Sequence, residues 1–263
     1  MANSESSQNT FNISNSTLTN VAGSGDIHYQ EASGKTNDVE EPKKVILFLA
    51  ANPVATGQLR LDEEVREIDA GLRRAKYRDR FELKQQWALR PRDLQRAMLD
   101  HKPRIVHFSG HGTRRAAGTE TAKTEGTRDI SFTEAPSVEA GLVLEDVVGQ
   151  PKFVSTGALS SLFGLFADSV NCVVLNACYS AQQAEAIAQH VPYVVGMTKA
   201  IGDRAAIEFS VGFYDALGAG ETVELAYKLG CSMIQLTGIA EHLTPTIIRR
   251  ADVDGEETAT GDH

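Results

Sequence analysis

Residues 104–112 read RIVHFSGHG, and residues 172–180 read CVVLNACYS. Each is a short apolar run rich in Val or Ile that passes directly into small residues around one reactive side chain, His111 in the first and Cys178 in the second. Continuous apolar runs of this length predict strands buried on both faces, as in a parallel sheet covered by helices. In open α/β sheets, ligands bind beyond the carboxyl ends of the strands. If these two strands are neighbours, His111 and Cys178 emerge from short turns at the same edge.

The surrounding sequence repeats the pattern. Val45-Ile46-Leu47-Phe48-Leu49 is another continuous apolar run, read as a first strand. Leu61, Val65, Ile68 and Leu72 then recur at helical spacing. Asp62, Glu63 and Glu64 sit in that helix's first turn, with Arg73, Arg74 and Lys76 near its end, as the helix dipole favours. Phe81–Ala88 reads as a second strand, and Pro91 opens a helix carrying Leu94, Ala97 and Met98 on one face. Residues 113–138 are polar, Gly-containing and without period, the pattern of a long surface loop that is either functional, as a regulatory flap or processing site, or a disordered insertion. Gly141–Asp146 and Pro151–Ser155 read as a hairpin, and a helix is expected over about Gly157–Phe166. Beyond Cys178 come a helix over Ala181–Gln189, a strand over Tyr193–Met197, two helices capped by Asp203 and Thr222, and a last strand over Thr246–Ile248. Strands alternating with helices predict an α/β fold with a mostly parallel central sheet covered on both faces.

Composition narrows the function. The 263 residues are 41% hydrophobic, enough for a substantial core, and carry a formal charge of −9. That charge argues against nucleic acid or an anionic membrane as the main partner. No apolar run has the length of a membrane span and no leader pattern is present, so the chain reads as soluble and cytoplasmic. Its three cysteines, Cys172, Cys178 and Cys231, form no even set and no CxxC spacing. A reducing compartment follows, with neither a disulfide framework nor a metal site. No GxGxxG or P-loop follows the first strand, where LAANPVATG stands instead. A nucleotide- or flavin-binding reading is therefore disfavoured, and no cofactor is expected.

What remains is nucleophilic chemistry. A thiol becomes an effective nucleophile when a nearby imidazole takes its proton, and that imidazole later protonates the leaving amine. Gly110 and Gly112 flank His111 and let the backbone approach a substrate. The N–H groups of Gly112 and Cys178 are the candidate donors to an oxyanion. Asn176 and Asp203 are candidate substrate contacts, although Asp203 also reads as a helix cap. His107 is either a structural histidine or a support for the catalytic pair. Cys172 and Cys231 read as core, and Glu145 and Asp146 as a solvated turn, with reach to the substrate edge as the alternative.

HFSGHG followed by LNACYS, together with KKVILFLAANP, LRLDEEVREI, LVLED and VVGMTKAIGDRAAIEFSVGFYDAL, resembles the CHAT domain, a caspase-like peptidase family related to caspases and separase. The resemblance runs from about Lys43 to Thr246. It implies a caspase-like αβα sandwich over residues 43–250, with His111 as base and Cys178 as nucleophile of a cysteine endopeptidase acting on a protein partner. By the same analogy the enzyme is an effector in a defence or cell-death pathway. The alternative is a non-catalytic signalling module on the same fold. Two departures stand out: residues 113–138 intervene between the HG turn and LVLED, and the tetratricopeptide repeats that often accompany the family are absent, so regulation is expected from elsewhere.

Residues 1–42 form a separate polar segment, without a charge from Ser6 to Gly25. Such a stretch buries too little surface to offset its chain entropy alone. TFNISNSTLTNVAGSGDIHYQ also resembles short amyloid signalling motifs, with Asn and Thr ladders suited to stacking. Both readings stand, a disordered leader or self-assembly and co-assembly through residues 8–30. Residues 251–263 read as a disordered acidic tail.

Overall fold

The computed structural model describes residues 42–116 and 138–250. The expectations for the amyloid-like leader, for residues 117–137 and for the acidic tail lie outside the described residues.

The first apolar run forms β1 (Lys44–Ala51), buried from Ile46 onward. In α1 (Leu61–Arg74), Leu61, Val65, Ile68 and Leu72 are buried, as the 3.6-residue period requires. β2 (Phe81–Gln86) stops before the expected Ala88. Ala88 itself has a φ of 49°, a left-handed turn that ends extended pairing. α2 (Pro91–His101) starts on its proline and buries Leu94, Ala97 and Met98.

β3 (Ile105–Ala116) corrects the expectation of a turn at Ser109–Gly112. The strand continues through His111 and changes partners there. Up to Gly110 it pairs in parallel with β1, and from His111 to Ala116 it pairs antiparallel with β4 (Val138–Glu145). Gly110 and Gly112 make the exchange sterically feasible, since glycine in a strand marks a close backbone approach. Both ends of the expected 113–138 loop are therefore paired strand. β4 continues into β5 (Pro151–Ser155) as the expected hairpin, longer at its start.

α3 (Thr156–Gly164) begins on Ser155, whose hydroxyl accepts from the Ala158 N–H at 3.3 Å. β6 (Cys172–Asn176) is buried throughout and leads to α4 (Ala181–Ala188), β7 (Tyr193–Met197), α5 (Asp203–Ala219) and α6 (Val223–Leu236), with β8 (Pro245–Arg249) last. Thr222 caps α6 as expected, accepting from Leu225 N–H at 3.3 Å. Asp203 does not cap α5. Gly202 holds that position, and Asp203 is the first helical residue with its carboxylate turned to Arg60.

The main sheet has the order β2-β1-β3-β6-β7-β8 and is parallel except for β8 against β7. Ile46, Phe48, Ile105, Cys172 and Val174 face α1, α5 and α6. Leu47, Leu49, Val106, Phe108, Val173 and Leu175 face α2, α3 and α4. This αβα layering explains why the strands are continuously apolar, because both parities are buried. Each such large side chain contributes about 1.5–3 kcal/mol on burial. Among the described residues, no helix is long and apolar enough to cross a membrane.

Candidate active site

β3 and β6 are adjacent and in register, with Ser109 opposite Asn176. The condition set by the sequence is thus met: the two strands carrying His111 and Cys178 are neighbours. The backbone next to His111 meets the backbone of Cys178. A methyl group on Gly112 would lie 2.1 Å from the Cys178 carbonyl oxygen and 3.3 Å from its nitrogen. Only glycine lets the backbone bearing the histidine lie against the backbone bearing the cysteine.

Cys178 sits on a tight strand-to-helix elbow. Ala177 N–H donates to Leu175 O at 2.9 Å, and Tyr179 takes a φ of 59° with its N–H on Lys199 O at 3.2 Å. Left-handed backbone at a bulky residue costs about 1–3 kcal/mol and persists where surrounding structure over-determines it. Ser180 supplies part of that structure. Its hydroxyl donates to Leu175 O at 2.8 Å and accepts from Met197 N–H at 2.9 Å, pinning the elbow to β6 and β7. Arg114 of β3 adds a cation–π contact, its guanidinium 4.8 Å from the Tyr179 ring centre. The half-buried Cys178 thiol makes a weak bond to Ile201 O at 3.8 Å.

His111 Nε2 lies 2.7 Å from the carbonyl oxygen of Gly57. A carbonyl only accepts, so Nε2 carries the proton, and Nδ1 is the basic nitrogen of the neutral ring. Gly57 ends the LAANPVATG segment that leads out of β1. Asn52 shapes that segment: its side-chain amide donates to Leu59 O at 3.1 Å and Gln58 Oε1 at 3.2 Å, and its own N–H donates to Glu145 at 3.0 Å. Arg60 closes the segment on Asp203, through its N–H at 3.0 Å and its Nε at 2.6 Å. One ion pair therefore joins the loop that orients His111 to the helix following Ile201. Asp146 forms the expected turn, accepting from Val148 and Gln150 N–H groups, both at 2.8 Å.

Beneath the pair lies a buried polar cluster centred on Glu64, which is 2% exposed. Its carboxylate accepts from Asn176 Nδ2 at 2.6 Å, Ser210 Oγ at 2.7 Å and the Ser109 hydroxyl, and it faces His107 Nε2 at 3.0 Å. Tyr214 OH meets His107 Nδ1 at 3.1 Å, and Phe48 stacks on the imidazole at 5.0 Å between centres. Burial pushes the Glu64 carboxyl up, but the pairing with His107 and the bonds from His107, Ser109 and Ser210 outweigh it and hold the group below the usual range. His107 is thus a satisfied buried histidine, and Asn176 turns its amide inward to the same cluster rather than outward.

Glu64 read as an ordinary first-turn acid in the sequence. The signal was its spacing: it lies on the apolar face of α1, between Leu61 and Ile68, where a charge needs partners. The Gly57 carbonyl, a backbone group, left no signal. Among the other cysteines, Cys172 is fully buried, and desolvation pushes its thiol up to about 12. Cys231 is half-buried at the rim of the core rather than inside it. Among the described residues, no group of three or more His, Cys, Asp or Glu is placed to hold a metal ion.

The chain matches the family model of the CHAT domain over residues 5–228. It is also similar to a protein of Gillisia limnaea named "Probable protease", 22% identical over 186 residues that cover 70% of this chain and 29% of that protein.

Proposed function

The chain belongs to the CHAT domain family, and on that premise we propose that it is a cysteine endopeptidase acting through His111 and Cys178 on a protein substrate. The observation that carries this reading is the contact of Gly112 with the Cys178 backbone, which joins a histidine of fixed tautomer to a cysteine on a strained elbow. The name of the Gillisia relative agrees with peptide hydrolysis.

In the proposed reaction, His111 Nδ1 takes the proton of the Cys178 thiol, and the thiolate attacks the scissile carbonyl carbon. The backbone N–H groups of Gly112 and Cys178 hold the oxyanion. The imidazolium, steadied by Nε2–H on Gly57 O, gives its proton to the leaving amine as the C–N bond breaks. Water, deprotonated by the same imidazole, then hydrolyses the thioester and restores the thiol. The three free cysteines fit a reducing compartment such as the cytoplasm. We assign the defence or cell-death role on family resemblance alone, and self-assembly to residues 8–30 on their composition.

Substrate profiling with a peptide library tests the reaction, comparing the natural chain with Cys178→Ala. Cleavage by the first and none by the second is expected. Equal cleavage by both removes Cys178 from the reaction, and none by either together with no labelling of Cys178 by a thiol-directed peptide probe favours a non-catalytic module.

A further inference from the structure

Ser109 and Asn176 are register partners on neighbouring strands, and each stands two residues before a member of the catalytic pair. Both hydrogen-bond to the same carboxylate. We propose that Glu64 is a positioning residue: by gripping Ser109 and Asn176 together, it fixes the separation and orientation of His111 and Cys178. The proposal rests on the peptidase reading and adds a residue that touches neither substrate nor reacting atoms.

Strand alternation gives the grip its lever. Side chains two apart along a strand share a face, and β3 runs unbroken from His107 through Ser109 to His111. His107 and Ser109 both reach Glu64, so the face that carries His111 is anchored at two consecutive positions. On β6, Asn176 is the last strand residue before the elbow. Its amide also reaches Ala206 O at 3.1 Å and Ser210 Oγ at 3.3 Å on α5. Between these anchors and the reactive residues lie only Gly110 and Ala177. A shift of either anchor is passed on through one residue.

The chemistry of the hub is consistent with such a demand. An ionised carboxylate has about four acceptor sites. Four groups address this one: His107, Ser109, Asn176 and Ser210. A buried carboxylate with its partners adds little stability over a well-packed apolar cluster and often none. What it adds is direction, since each donor has one satisfied geometry. Apolar packing of β3 on β6 already exists on both faces, but it is non-directional. The carboxylate adds directional bonds where the two reactive ends begin. Reacting groups misplaced by about 1 Å can lose on the order of 100-fold in rate.

The test uses the full chain, with Glu64→Gln, Ser109→Ala and Asn176→Ser as network variants. Leu72→Ala lies in the same core face and serves as a destabilised control outside the network. Two quantities are read: the pH dependence of Cys178 alkylation by iodoacetamide, with Cys231 as internal reference, and kcat and KM on a cleaved peptide. The network variants should slow Cys178 alkylation and lower kcat by about 10- to 100-fold, displace the alkylation midpoint, and leave KM within about twofold. Leu72→Ala should melt earlier and keep the midpoint. Where Glu64→Gln fails to fold, Ser109→Ala and Asn176→Ser decide, because each removes a single arm. Folded network variants with natural midpoint and kcat overturn the proposal and leave the peptidase reading standing. A natural chain whose Cys178 reacts no faster than Cys231, and which cleaves no peptide, overturns that reading and the proposal with it.

Discussion

Gly112 lies against the backbone of Cys178 so closely that a single methyl group there would stand 2.1 Å from the cysteine's carbonyl oxygen. The obstructing atom is main chain, so no rotamer change relieves the clash. Gly112→Ala must push the elbow away from β3. The expected outcome is a folded protein with peptide turnover reduced by about 100-fold or more, read by assay beside a circular-dichroism spectrum. Turnover within a few-fold of the natural chain would mean that catalysis does not depend on this contact.

His111 and Cys178 are expected to behave as one unit. Cys178→Ala and His111→Ala should each abolish cleavage with little change in secondary structure. The double variant should be scarcely worse than either single one, because groups acting together are non-additive. Multiplying effects in the double variant would separate the two residues.

Arg60 and Asp203 bind each other through two hydrogen bonds and so join the Gly57 loop to α5. Both side chains are partly exposed, at 51% and 29%, so solvent screens the pair and little change in melting temperature is expected on breaking it. Turnover is the sensitive quantity, because the loop presents Gly57 O to His111. Arg60→Ala and Asp203→Asn should each lower kcat several-fold, and the double variant should match the single ones. If Asp203→Asn alone alters which peptides are cut, Asp203 reads substrate charge instead.

Residues 8–30 combine Phe11, Ile13, Ile27 and Tyr29 with Asn- and Thr-rich spacing and almost no charge. A peptide of that span should form thioflavin-positive fibrils with a spacing of about 4.7 Å. Replacing Ile13 and Ile27 by Lys should prevent this, since like charges stacked along a fibril repel. A peptide that stays monomeric at high concentration, alone and with partner segments, would reduce the region to a leader.

The layers of the fold were legible because strands buried on both faces must be apolar at every position, as Val45–Leu49 and Cys172–Leu175 are. The placement of His111 and Cys178 at one edge was legible for the same reason. Three things were not. β3 runs on past Phe108 because two glycines let it exchange β1 for β4, and glycine in a sequence reads equally as turn or as close approach. Asp203 looked like a cap because capping is local, whereas its partner Arg60 is distant in sequence. Glu64 reads from its neighbours in the helix, while its hydrogen-bond partners lie on β3, β6 and α5 and only the folded chain brings them together.

Glu64 also gives the protein a pH signature. Burial alone raises its carboxyl, yet His107, Ser109 and Ser210 overcome that and leave it below its ordinary value of about 4.3. A lowered folded value means that the native state binds the proton less readily than the unfolded chain. The stabilisation is therefore complete above about pH 4.3 and is lost as pH falls through the folded value. Glu64→Gln cannot ionise and leaves its donors poorly matched. At pH 7 it should be less stable by on the order of 3 kcal/mol, and its thermal stability should respond less to acid. Melting both proteins from pH 7 to pH 3 should show their midpoints converging in the acid range as the natural chain loses what the variant never had. A gap of constant size across that range would mean that Glu64 is not held as a native-state anion, and the charge-centred account of the cluster would fail.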